Sequence, residues 1–153
     1  MKVALGSDHA GFDLKERIKG YLAGLGVEVN DLGTHSNESV DYPDYAEKVA
    51  ADVRDGKADR GILVCGTGIG MCIAANKVQG IRAVQTDRAE FGRLSRRHND
   101  SNVLCLAGRF TDPESAGELV KVWLETAFEG GPHQRRVEKI AHMEAVNGLR
   151  QRY

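Results

Sequence analysis

The stretch Gly61-Ile62-Leu63-Val64-Cys65-Gly66-Thr67-Gly68-Ile69-Gly70 decides the architecture. Its first half has no polar face, which predicts a parallel strand covered by helices on both sides. Its second half sets Gly66, Gly68 and Gly70 between that strand and a helical stretch, Met71 to Lys77. Strand, glycine turn and helix in that order are the repeating unit of an open parallel sheet.

The same alternation runs outward in both directions. Towards the N-terminus, Lys2 to Gly6 reads as a strand, and Leu14, Ile18, Leu22 and Leu25 recur at helical spacing before a stop at Gly26. Val27-Glu28-Val29 resumes as a second strand. A polar loop, Gly33 to Asp41, leads to Asp41-Tyr42-Pro43, a helix start with Ala46, Val49, Ala50 and Val53 on its inner face. Towards the C-terminus, Ile81 to Val84 predicts a fourth strand, Arg88 to Arg97 a helix, Val103 to Ala107 a fifth strand and Pro113 to Phe128 a long helix. Gly130-Gly131-Pro132 breaks the chain before a last helix, Gln134 to Asn147, with Val137, Ile140 and Val146 along one side. The expected fold is therefore α/β: a Rossmann-like, doubly wound, five-stranded parallel sheet in the order 2-1-3-4-5, as one domain over residues 1–153.

The 153 residues carry 21 Lys+Arg against 22 Asp+Glu, a net charge of −1, with 41% hydrophobic and 28% charged residues. That composition excludes a disordered or collagen-like chain, and the charge balance argues against broad capture of nucleic acid or of an anionic membrane. No apolar run approaches the ~18 residues of a membrane span, and Met1 to Gly6 is too short for a signal-peptide core, so a cytoplasmic protein is expected. Cys65, Cys72 and Cys105 are an odd set without C-x-x-C spacing, which suits free thiols in a reducing compartment better than a disulfide or zinc framework. Charge is local: residues 28–59 hold nine Asp/Glu and three Lys/Arg, while 88–109 and 133–153 are each basic by three. Those two basic segments could converge on one anion.

Ligands of open parallel sheets bind beyond the carboxyl ends of the strands. The polar segments expected there are Asp8-His9, Gly66 to Gly70, Gly108-Arg109 and, after the fourth helix, His98-Asn99. Glycines at alternate positions let backbone N–H groups turn inward around an anion. The dinucleotide fingerprint would need glycine at Met71, and the Gly-Lys-Ser/Thr of a P-loop is absent, so both nucleotide readings weaken. A tight turn without a ligand stays the alternative. Cys65, between the buried strand and these amides, has the position of a base or nucleophile, whereas Cys72 and Cys105 read as small buried hydrophobes. His98 alone is more often a helix-end cap or surface group. Arg135 and Arg136 open the last helix, where cations are unfavourable unless an anion is near; they point about 100° apart, so one of them suits a phosphate together with Arg109.

Gly-Ser-Asp-His-Ala-Gly-Phe at 6–12, Asp-Tyr-Pro at 41–43, Cys-Gly-Thr-Gly-Ile-Gly at 65–70, Ala-Ala-Asn-Lys at 74–77, Ser-Arg-Arg-His-Asn-Asp at 95–100 and His-Gln-Arg-Arg-Val at 133–137 together resemble the type B ribose-5-phosphate isomerase family, which includes the galactose-6-phosphate isomerase subunits. The resemblance runs from Lys2 to about Ala145. It implies interconversion of D-ribose 5-phosphate and D-ribulose 5-phosphate, without cofactor or metal, by a homodimer or dimer of dimers whose sites are shared between subunits and whose C-terminal helix docks on the partner. By the same resemblance Cys65 is the base, Thr67 assists it, and the backbone of Gly66, Thr67, Gly68, Ile69 and Gly70 holds the enediolate oxygen. His98 opens the sugar ring, Asp8, His9 and Asn99 bind hydroxyls, and Arg109 and Arg136 hold the phosphate. Some members carry glutamate at the position of Met71; Cys65 with Met71 follows the cysteine-base branch. Many members carry arginine where this chain has Pro132, which leaves open another sugar phosphate as substrate: allose 6-phosphate, galactose 6-phosphate or a tetrose phosphate. From a different class, a non-catalytic sensor of nucleotide or sugar phosphate would use the same cradle, with Asp87 on a ribose hydroxyl.

Overall fold

The computed structural model describes residues 1–150, so the single-domain span expected over 1–153 extends past it. Along the chain come β1 (Lys2–Ser7), α1 (Phe12–Gly24), β2 (Glu28–Asp31), α2 (Tyr42–Arg54), β3 (Arg60–Cys65), α3 (Ile69–Ala75), β4 (Ala83–Gln85), α4 (Ala89–Asn99), β5 (Val103–Ala107), α5 (Pro113–Glu125) and α6 (Pro132–Arg150). All five strands are parallel, and β3 lies at the centre as its apolar sequence requires. Among the described residues no helix is long and apolar enough to cross a membrane.

The sheet order is β2-β1-β3-β5-β4, not 2-1-3-4-5. Burial explains the exchange of the last two strands. Every residue of β5 is buried, whereas the three residues of β4 are only half-buried, so β5 takes the inner place beside β3 and β4 becomes the edge. The start of β4 also shifts, from Ile81 to Ala83. The Ile81 N–H is used in a turn to Val78 and the Arg82 N–H by the Asn102 side chain, so neither enters the ladder.

Alternate residues of the central strands feed two cores, as the two-residue period of a strand dictates. Val3, Leu5, Ile62, Val64, Leu104 and Leu106 face α1 and α5, while Ala4, Leu63, Cys65, Val103 and Cys105 face α2 and α3. Truncating any of the fully buried leucines to alanine would cost about 2–5 kcal/mol. At the edge nearest β2, Lys15 is wholly buried and bonds both oxygens of Asp31, at 2.8 and 2.7 Å, and Lys19 adds a further contact at 2.8 Å. Burial pushes the Asp31 carboxyl up, but hydrogen bonds from Lys15, Lys19 and the Gly33 N–H outweigh it and hold the group at about 2.

Two further packing features fix the outer helices. α5 starts on Asp112, whose carboxylate accepts the N–H groups of Glu114 and Ser115, followed by Pro113 in the first turn. α4 lies close against α5 because residue 92 is glycine: a methyl there would come within 2.5 Å of Leu119. Trp123 Nε1 donates to Ser101 Oγ at 2.9 Å, Ser101 and Ser95 share a hydroxyl contact of 2.8 Å, and Ser95 donates to the Gly92 carbonyl. Arg96, almost wholly buried, donates to Asp100, to the Thr126 carbonyl and to the Ser101 carbonyl. The C-terminal turn of α4 is thereby anchored. α6 starts at Pro132, two residues earlier than expected, and leaves Ile140 and Met143 exposed at 47% and 63%.

Candidate active site

At the carboxyl edge of the sheet, β3 and β5 end in register at Cys65 and Ala107. The loops that follow are laced together: the Gly108 N–H donates to the Cys65 carbonyl at 2.7 Å and the Arg109 N–H to the Gly66 carbonyl at 3.1 Å. Gly108 also abuts the loop after β1, where a methyl on it would lie 3.0 Å from the Ala10 oxygen and from Gly11 Cα. Asp8 is buried in that loop and accepts the Gly11 N–H at 3.0 Å. Three loops from three strands thus meet around one thiol.

The glycine loop is shaped by contact as well as by freedom. Gly68 has φ +76°, and a methyl there would sit 2.9 Å from the Leu106 carbonyl carbon, so no other residue fits without strain. In that conformation its N–H donates to Cys65 Sγ at 3.2 Å. Thr67 is exposed and its Oγ1 accepts the Ile69 N–H at 3.2 Å; Ile69 is itself exposed. The Arg109 guanidinium lies over Gly66, 3.3 Å from where a methyl would stand, and the Tyr42 ring lies against Gly70 in the same way at 2.7 Å. His9 accepts the Val40 N–H on Nδ1 at 3.2 Å, so Nε2 carries the hydrogen of its neutral ring. Asp8, His9, Cys65, the 66–70 loop and Arg109 are therefore brought to one edge.

His98, Asn99 and Arg136 are not there. A helix between parallel strands runs antiparallel to them, so the end of α4 returns to the beginning of β5, at the amino edge. Asn102, just past α4, accepts the Gly61 N–H on its carbonyl at 2.9 Å, and from Gly61 to Cys65 the strand rises by about 13 Å, at about 3.3 Å per residue. The expectation that His98-Asn99 lies beyond the carboxyl ends is corrected accordingly. In one chain a proton cannot pass between His98 and a group beside Cys65, since such transfers need heavy atoms within about 3 Å or one bridging water. Nor do Arg109 and Arg136 meet within a single chain.

The amino edge has its own constellation. The His98 and His133 rings stack with centroids 4.2 Å apart and planes at 15°. Arg136 Nη1 lies 3.5 Å from His133 Nδ1, and Arg97 donates twice to Glu129 Oε2, at 2.9 and 2.6 Å. The hydrogen bonds from Arg97 hold the Glu129 carboxyl below its ordinary value. The Asn99 carbonyl accepts from Arg82, and its residue also borders a groove of about 860 Å³ between the α3–β4 turn and α6. Thus the basic segments 88–109 and 133–153 do converge through His98, His133, Arg97 and Arg136, while Arg109 stands apart.

Tyr42, His133 and Glu129 were not singled out as site residues by sequence. Tyr42 had a signal in the Asp-Tyr-Pro motif, and His133 in the His-Gln-Arg-Arg run; Glu129 had none. Cys72 also departs from its expected role as a bland hydrophobe. It is half-buried beside Cys105, and hydrogen bonding with that thiol, with the Gln85 N–H and with Asn76, set against burial, lowers it to about 7. Burial pushes the fully enclosed Cys105 thiol well up.

A parallel α/β sheet with a thiol in a glycine loop at one edge and paired histidines with arginines at the other defines a Rossmann-like enzyme that handles small anionic molecules. Comparison with known proteins gives the family. A sequence model described as Ribose/Galactose Isomerase matches residues 3–140, and the chain belongs to that family of aldose–ketose isomerases. It is 51% identical over 143 residues to ribose-5-phosphate isomerase B of Escherichia coli, covering 94% of this chain and 96% of that protein. It is 44% identical over 145 residues to D-erythrulose-4-phosphate isomerase of Pectobacterium atrosepticum, covering 94% and 95%. Among solved structures, ribose-5-phosphate isomerase B of Clostridium thermocellum superposes with a TM-score of 0.95 at 50% identity, over 96% of this chain and 99% of that one.

Proposed function

We propose that this chain interconverts D-ribose 5-phosphate and D-ribulose 5-phosphate through a cis-enediolate, as one isomerase domain over residues 1–153 in the cytoplasm. The observation that carries the reading is Cys65 at the end of the central strand, with the Gly68 N–H on its sulfur and the glycine loop around it. Cys65 as thiolate takes the proton from C2 and returns it as thiol to C1. Backbone amides of residues 66–70 meet the charge that develops on the substrate oxygen, an arrangement worth most where donors are fixed before the reaction. Thr67 positions the thiol. His98 opens the ring by proton transfer to the ring oxygen, Asp8, His9 and Asn99 hold hydroxyls, and Arg109 and Arg136 hold the phosphate.

This assignment requires a second copy of the chain, because its residues lie at two edges of one sheet. A homodimer, or a dimer of dimers, that sets the carboxyl edge of one subunit against the amino edge of the other completes each site. In this reading α6, with Ile140 and Met143 exposed, is the element that docks on the partner.

A second reading keeps the chemistry and changes the sugar. Pro132 opens α6 where an additional phosphate-binding arginine is common, and one of the relatives above is named for a tetrulose phosphate. The test is kcat/KM for ribose 5-phosphate, allose 6-phosphate, galactose 6-phosphate and erythrose 4-phosphate without added metal. A preference for ribose 5-phosphate is expected. Preference for another of these sugars moves the substrate and keeps the Cys65 chemistry; turnover of none of them, with tight nucleotide or sugar-phosphate binding, sinks the enzymatic reading.

A further inference from the structure

We propose that His98, Glu129 and His133 form an inhibitory binding site for a borderline divalent transition-metal ion, of which zinc is the type. One ligand atom from each of the three residues lies within 4.8 Å of the others. Zinc at about 2.0–2.1 Å from each of three tetrahedral ligands needs them roughly 3.4 Å apart, so the cluster closes onto an ion by drawing the three side chains together with a change of ring orientation. The two imidazoles, one in the last turn of α4 and one in the first turn of α6, are stacked face to face, so one ring must turn out of the stack before both lone pairs meet at one ion. Glu129 sits in the segment joining α5 to α6, and its N–H is tied to the Arg97 carbonyl at 3.0 Å.

The carboxylate is arranged as a metal ligand would be. Both Arg97 donors bond the same oxygen, Oε2, which leaves Oε1 for an ion, and a hydrogen bond of this kind is what orients ligating carboxylates in metal sites. Two imidazoles with one carboxylate select zinc, copper or nickel over magnesium, which prefers oxygen ligands alone. Three protein ligands leave a fourth position open. Arg97 and Arg136 stand close by and oppose a cation, so binding is weaker than at a four-ligand structural site and reversible by chelators. The ion supplies no chemistry to the isomerisation. It occupies His98, and so it competes with ring opening.

Binding stands on this geometry alone, whereas inhibition rests on the ring-opening role proposed for His98; the two are read separately. Chelator-treated full-length protein would be titrated with zinc against a chromophoric zinc chelator, and ribose 5-phosphate turnover followed over the same range, with magnesium as the comparison ion. We expect one zinc per chain, at least a tenfold fall in turnover that a chelator reverses, and no effect of magnesium. Glu129→Gln and, as a second lesion, His133→Asn should each weaken zinc binding at least tenfold. No stoichiometric zinc, or zinc binding untouched by both substitutions and abolished by Cys72→Ser, overturns the site. Zinc bound through Glu129 and His133 with full turnover overturns the inhibition, and with it the role of His98.

Discussion

The two edges of the sheet hold their functional groups by different means. At the carboxyl edge Cys65, Asp8 and Arg109 are set by strand ends, by backbone hydrogen bonds between loops and by glycines whose neighbours leave no room for a side chain. At the amino edge His98, His133 and Arg136 are set by side chains touching side chains at helix ends, braced by the Arg97–Glu129 pair and the Ser95–Ser101–Trp123 contacts. Strand ends lose little freedom on binding a ligand, because the fold has already fixed them. Long side chains at helix ends each have up to about 2 kcal/mol of rotamer entropy to lose, so the amino edge has more to order when a ligand arrives.

The largest expected effect breaks the carboxyl edge alone. Cys65→Ala should lower kcat for ribose 5-phosphate by about 10²–10⁴, the usual worth of a positioned acid–base group, with the melting temperature nearly unchanged. His98→Asn should be severe on the cyclic sugar and much milder on an open-chain substrate. Mixing the two inactive proteins under conditions that exchange subunits tests whether the edges meet between chains. Half of the random pairs are mixed and each has one intact site, so roughly a quarter of wild-type activity should return. No recovery, with exchange verified by mass, would place Cys65 and His98 in one chain's site and contradict the separation along β3.

A smaller effect separates conformational strain from contact at the carboxyl edge. Gly68→Ala and Gly56→Ala both put a side chain at positive φ, but only at residue 68 is there an obstacle within 4 Å. Gly56→Ala should cost about 1–2 kcal/mol, the price of left-handed backbone, and Gly68→Ala measurably more, with activity lost as well. Equal losses in denaturant melts would show that Leu106 simply moves aside.

Acid should loosen the carboxyl edge through Asp31. Asp31 bonds the Gly33 N–H, and the Gly33 carbonyl accepts the N–H of Ser7, immediately before Asp8. Its folded carboxyl titrates at about 2, below the ~3.9 of an unfolded aspartate. The stability it contributes is therefore complete above about pH 4 and lost as pH falls towards 2. Urea melts across that interval should be steep in the wild type and flatter in Asp31→Asn. An unchanged slope would remove Asp31 as the acid-sensitive brace.

The smallest effect is at Cys72. Its alkylation by iodoacetamide should rise with a midpoint near pH 7, and Cys72→Ser should keep full turnover. A midpoint near pH 9 would show that Cys105 does not assist it.

How much of this was legible in the sequence follows the same division. The β3 run, the glycine loop and the loops after β1 and β5 could be read because local sequence fixes them: an apolar strand must be covered, and its end must turn. The order of β4 and β5 depends on which strand buries more area against β3, and only the assembled sheet settles that. The position of His98 was misjudged, although the signal was present, since a helix that follows one parallel strand has to end near the start of the next. Glu129 and the state of Cys72 depend on partners distant in sequence, Arg97 and Cys105, and no periodicity encodes those encounters.

The single tryptophan gives the amino edge an optical signature. Trp123 Nε1 donates to the Ser101 hydroxyl, next to the turn that carries His98, so indole emission reports the polarity of this joint and no other part of the molecule. Loosening of α4 from α5 should therefore shift the emission to the red without any label, while a lesion confined to the cysteine loop leaves the spectrum dark to the change.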